Sequence, residues 1–150
     1  MYNKTITVFV HNGDYWLPRI IKGTEIVTSR GYLGRSYGYD LNASAEIHIN
    51  YNFVDGKRMI SGKELVEPIA FESASTAEKA SLLTLRGGKD FDFVWYGDYL
   101  QIDSTLASIS DLTFPEGFFE HWRNTHDNTW TIVNVSGPYT LLPHVELVCR

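Results

Sequence analysis

Short β-branched and aromatic runs, punctuated by turn residues roughly every 8 to 15 positions, restrict this chain to an antiparallel β architecture. "TITVFVH" (Thr5 to His11) is the first run, and Asn12-Gly13-Asp14 behind it supplies residues that tolerate positive φ in a tight hairpin. The return arm, Tyr15 to Ile21, contains Pro18, which has no N–H for a ladder and predicts a strand that lies at an edge or is broken in two. "TEIVTS" continues after Gly23. "SAEIHINYNF" (Ser44 to Phe53) alternates, with Ala45, Ile47, Ile49 and Tyr51 on one face and Glu46, His48 and Asn50 on the other, the pattern of a half-buried strand. Asp55-Gly56 marks a turn, and "KRMISGKELVEPIAF", where Pro68 forbids a long helix, reads as a short strand and a loop.

A second period-two stretch, Phe91, Phe93 and Trp95, predicts a central strand with Asp90 and Asp92 on its wet face. "LASISDLTF" and "TWTIVNVSGPYTLLPHVELVCR" complete seven to nine strands. One helix is predicted over Thr76 to Leu85: Ser75 and Glu78 match a capping box, and Gly87-Gly88 stops it. The expected fold is mainly β: a single domain over residues 1–150, an antiparallel β-barrel or sandwich with one short helix and long loops. A chain of 150 residues buries about two thirds of its unfolded surface. With 43% hydrophobic and 21% charged residues, it needs neither staple nor metal to fold.

Residues 31 to 43, "GYLGRSYGYDLNA", break the pattern. Three glycines and three tyrosines among polar residues have no period and predict an extended loop at about 30–43. Tyrosine and arginine bury much area with few rotors and keep a polar tip satisfied, so Arg30, Tyr32, Leu33, Arg35, Tyr37 and Tyr39 are the candidate partner-binding residues.

Charge argues against a phosphate-tracking surface, because 13 basic residues face 18 acidic ones, no basic run exceeds a pair, and the net is −5. The opening stretch lacks the sustained apolar core of a signal peptide, and no run approaches about 18 apolar residues, so no membrane partner is expected. The expected place is a cytoplasm or a particle assembled there. Cys149 has no intrachain partner and reads as an inert structural thiol. In "EGFFEHWRNTHDN" the residues Glu116, Glu120, His121, His126 and Asp127 crowd together, but two His five apart do not match the i, i+4 helical pair, and the segment reads as loop or strand end. No nucleophile elbow, phosphate loop or dinucleotide fingerprint occurs, so no catalytic residue, metal or cofactor is expected. Two competing readings are a carbohydrate-binding module displaying Trp122, Trp130 or the loop tyrosines, and a small hydrolase using Glu116, Glu120 and His121.

Three islands, "ITVFVHNGDYWLPRIIKGTEI", "DFVWYGD" and "FEHWR", resemble in that order the small neck proteins of long-tailed phages, described as head-tail connector, head-completion or stopper proteins. The positions that carry the resemblance are Trp16, Lys22, Gly23, Gly97, His121, Trp122 and Arg123. Here 27 residues follow Arg123, whereas in that family the third island lies almost at the end. The resemblance implies a virion protein of the neck without catalytic residues: a β-barrel protomer in a homo-oligomeric ring. Such a ring has a portal or adaptor ring on its head side, a tail terminator or tail tube protein on its tail side, and packaged DNA passing or retained in its channel. A tail terminator, or a tail or baseplate module, is the alternative place in the same particle.

Overall fold

Six strands close on themselves. In the computed structural model, which describes residues 2–12, 15–28, 45–89, 91–98, 114–115 and 117–150, β1 (Lys4–Asn12) turns back into β2 (Tyr15–Thr28), pairing Asn12 with Tyr15. β3 (Ala45–Asn50) lies between β2 and β11 (His144–Cys149). β10 (Thr129–Tyr139) lies between β11 and β8 (Phe93–Trp95), and β8 returns to β1. Every one of these pairings is antiparallel, and the β1–β2 pairing closes the six strands, so the mainly β fold is a closed barrel rather than two facing sheets. A two-residue strand, β9 (Phe114–Pro115), adds to the start of β2.

Period two does the sorting. Ile6, Val8, Val10, Leu17, Ile21, Ala45, Ile47, Ile49, Val94, Ile132, Val145, Leu147 and Cys149 form one buried cluster, each worth about 1.5–3 kcal/mol when a full-sized apolar side chain is removed from water. The Cys149 thiol is sealed within it, and burial pushes its pKa up to about 12, as an inert structural cysteine requires. Pro18 falls where β2 changes its second neighbour, from β9 at residues 15–16 to β3 at residues 24–28, so the strand is locally an edge there among the described residues.

Between β3 and β8 the chain builds a small second sheet, ordered β4 (Asn52–Val54), β5 (Lys57–Ile60), β6 (Lys63–Leu65) and β7 (Leu82–Leu83). Its hairpins turn on Asp55-Gly56 and Ser61-Gly62, both pairs at positive φ, the geometry that suits a two-residue hairpin. Ile60, Phe71, Leu83 and Leu85 join the barrel's core cluster, so the insert is packed on the barrel. Arg19 fastens it. Opposite Val8 on the apolar face of β2, its guanidinium donates to the carbonyls of Pro18 (2.9 Å), Lys79 (2.8 Å) and Leu82 (3.0 Å), which replace the water it loses.

Among the described residues three short helices stand where one was expected. α1 (Pro68–Ser73) begins at Pro68, which serves as a first-turn residue with no N–H to lose. α2 (Thr76–Lys79) has the expected capping box of Ser75 and Glu78 but ends early, because Leu82 and Leu83 leave the helical stripe to pair in parallel with β6. α3 (Phe118–Thr125) occupies the stretch read as loop or strand end. Among the described residues no helix is long and apolar enough to cross a membrane.

Candidate functional site

The three islands of resemblance, far apart in sequence, meet in one aromatic cluster on the outside of the barrel. Phe9 of β1 stacks on Phe93 of β8 at 4.5 Å, Trp16 of β2 meets Phe93 edge-on at 4.9 Å, and α3 lays Phe119 on Phe93 at 4.8 Å and Trp122 against Phe9 at 5.5 Å. Trp95 meets Trp122 edge-on at 5.4 Å, and His126 stacks on Trp122 at 3.7 Å. Such contacts add about 0.5–1.5 kcal/mol each beyond the area they bury. They explain why Ile6 to Val10 is buried on both faces: the even positions face the barrel's core, and α3 covers Phe9.

The other family-like positions are structural in identifiable ways. Lys22 and Gly23 form a β-bulge: two residues of β2 oppose one of β1 between the pairs Ile6–Ile21 and Lys4–Thr24, with Gly23 at φ 74°. The Lys22 N–H donates to Ser61 Oγ (3.0 Å), while its side chain is exposed. At Gly97 a Cβ would fall 2.4 Å from the Trp95 ring, so only glycine lets the indole fold back there, and the Gly97 carbonyl accepts from Thr7 Oγ1 (2.9 Å). His121 and Arg123 project from the exposed face of α3, Arg123 reaching back over the Phe119 ring.

Asp92 is not on a wet face. It is fully buried, with Oδ1 accepting from the His11 N–H and Oδ2 from the Arg86 N–H, both at 2.8 Å. Loss of water pushes its pKa up to about 8, against the two amide donors and the Arg86 charge. Both oxygens are spent on main chain, and the carboxylate ties β1, the approach to β8 and residue 86 together. Asp90 lies outside the described residues.

Beside α3 a cleft of about 770 Å³ is bordered by Phe91, Phe119, Lys89, Glu120, Arg123 and Arg150. A smaller hollow of about 290 Å³ separates the insert from β10, lined by Arg58, Leu65, Pro68, Val135 and Val145. At one end of the barrel apolar side chains point into solvent: Leu141 is 87% exposed and Leu142 79%, in the β10–β11 turn, with Phe53 and Val54 in the neighbouring β4–β5 hairpin. Tyr51 holds these two hairpins together, donating its OH to the Tyr139 carbonyl (2.6 Å) and its N–H to the Pro143 carbonyl (3.3 Å), with Phe53 edge-on to its ring.

Arg30, Tyr32, Leu33, Arg35, Tyr37 and Tyr39 lie outside the described residues, as does Glu116. Glu120 and His121 are exposed neighbours on α3, and no hydrogen bond between them joins a base to an acid. Trp122 and Trp130 are 5% and 8% exposed and form no open platform. Sequence reasoning missed the apolar end, although "YTLLPH" carried a signal for it: two leucines in a turn, with Pro143 beside them, have no core to enter. No family model matches the chain, and no curated protein or solved structure matches it.

Proposed function

We propose that this chain is a structural subunit of a phage neck: a head-tail connector of the stopper or head-completion kind, working as a homo-oligomeric ring. The ring joins a portal or adaptor on its head side to the tail terminator or tail tube and helps retain packaged DNA. The sequence islands motivate the reading, and the apolar end of the barrel is the observation that supports it. Closure takes most of the barrel's strand edges away from neighbours, so side chains are the expected means of holding a ring. Leu141, Leu142 and Val54 are exposed apolar groups outside the subunit's core clusters, and half-exposed Phe53 meets the core at the Tyr51 ring. The net charge of −5 suits a wall past which DNA slides rather than one it grips.

Replacing Leu141 and Leu142 together by serine tests this. Wild-type chain is expected to form a discrete ring with rising concentration, by light scattering after size exclusion, while the double variant stays monomeric with an unchanged melting temperature. Particles lacking the protein are expected to be full heads that leak DNA and carry no tails. Equal assembly of the variant would remove the support, and intact tailed particles would exclude the function.

A further inference from the structure

Where β2, β3 and β11 run side by side, their outer face gathers two imidazoles and three carboxylates. Glu25, His48 and Glu146 are cross-strand partners in one row, Glu46 is two residues before His48 on β3, and His144 is two before Glu146 on β11. His48 Nε2 is 2.8 Å from Glu46 Oε1 and 4.0 Å from Glu146 Oε1, and His144 Nε2 is 2.8 Å from Glu146 Oε2. The donor atoms of Glu46, His48 and Glu146 all lie within 4.8 Å of one another. A tetrahedral ion with bonds of 2.0–2.2 Å spaces its ligand atoms by about 3.4 Å, within the range these side chains already span.

The rear nitrogen of the His144 ring is also occupied. His144 Nδ1 lies 2.6 Å from the Leu142 carbonyl, and Tyr139 stacks on that ring at 4.8 Å. His48 Nδ1 faces Glu25 at 3.9 Å. At His144 a proton on Nε2 satisfies Glu146 Oε2, whereas His48 Nε2 lies near two carboxylates, Glu46 and Glu146. A proton on one ring answers one carboxylate. A divalent ion answers Glu46, His48 and Glu146 at once, and the nitrogen donor selects a transition metal over magnesium or calcium.

We propose that Glu46, His48 and Glu146 form a surface site for a divalent transition metal of the zinc class, strapping β3 to β11, with His144, held by the Leu142 carbonyl, orienting Glu146. The full chain titrated with zinc chloride in a calorimeter is expected to take up one ion, and with cobalt chloride to develop the visible absorption of a tetrahedral nitrogen-oxygen site. Zinc is expected to raise the melting temperature. His48→Gln and Glu146→Gln, both on the outer face, are expected to weaken binding by more than about 100-fold, and His144→Gln by about tenfold. His121→Gln, on α3, leaves it unchanged. Absence of saturable zinc uptake, uptake undiminished in His48→Gln, loss in His121→Gln, or equal uptake of calcium would each overturn the site. Circular dichroism of each variant separates loss of binding from loss of fold.

Discussion

At Asp92 the price of solvation is visible in a single side chain. A carboxylate taken wholly out of water keeps two amide donors at 2.8 Å, yet its pKa rises to about 8. Between the unfolded value near 4 and about 8, the folded chain holds a proton that the unfolded chain releases, so stability falls as pH rises through that window. The stabilisation is complete below about pH 4 and gone above about pH 8, a change of a few kcal/mol. Denaturant unfolding of wild type is expected to show that decline, and Asp92→Asn to remove it while lowering stability by about 1–3 kcal/mol at pH 5 for the lost acceptor. Equal slopes in the two proteins would refute the assignment. Period two could not reveal this residue. Alternation with Phe91 and Phe93 assigns Asp92 a face correctly, but only tertiary packing decides whether that face is wet. Arg19 was hidden likewise: it has core parity, and what lets it remain charged there is a trio of carbonyls, two of them about 60 residues away.

The strands were legible as elements because each carries its own period, as in Ala45, Ile47, Ile49 and Tyr51, and because Asp55-Gly56 can do little but turn. α3 was not. An eight-residue helix is unstable alone, and only Phe119 and Trp122 mark its buried side, too few for a stripe. Its stability comes from the barrel, through the Phe9, Trp16 and Phe93 surface. Trp122→Ala is therefore expected to cost about 3–5 kcal/mol and to act on the element first. Amide exchange should quicken over residues 118–125 and the outer face of β1, while β3 and β11, remote from the cluster, keep their protection. Uniform loss of protection across all strands would show instead that α3 and the barrel fold as one inseparable unit.

For the whole molecule, the ring of six strands decides which connections the fold needs. Thr28 at the end of β2 is paired directly with Ala45 at the start of β3, so residues 29–44 have no distance to span. A connection of 16 residues between paired neighbours is far longer than the two to five of an ordinary hairpin. Its Tyr, Gly and Arg content made it the candidate partner-binding segment, and the direct pairing of Thr28 with Ala45 requires none of its length. Removing Gly31 to Tyr39 leaves seven residues for the turn, and the shorter closure recovers about 0.7 kcal/mol of chain entropy. The deletion variant is expected to unfold cooperatively, with a melting temperature equal to or slightly above wild type, while failing to complete particles. Loss of cooperative unfolding would mean that the segment belongs to the core. Stable protein that still assembles would mean that the apolar end of the barrel, with Leu141 and Leu142, suffices to hold the ring.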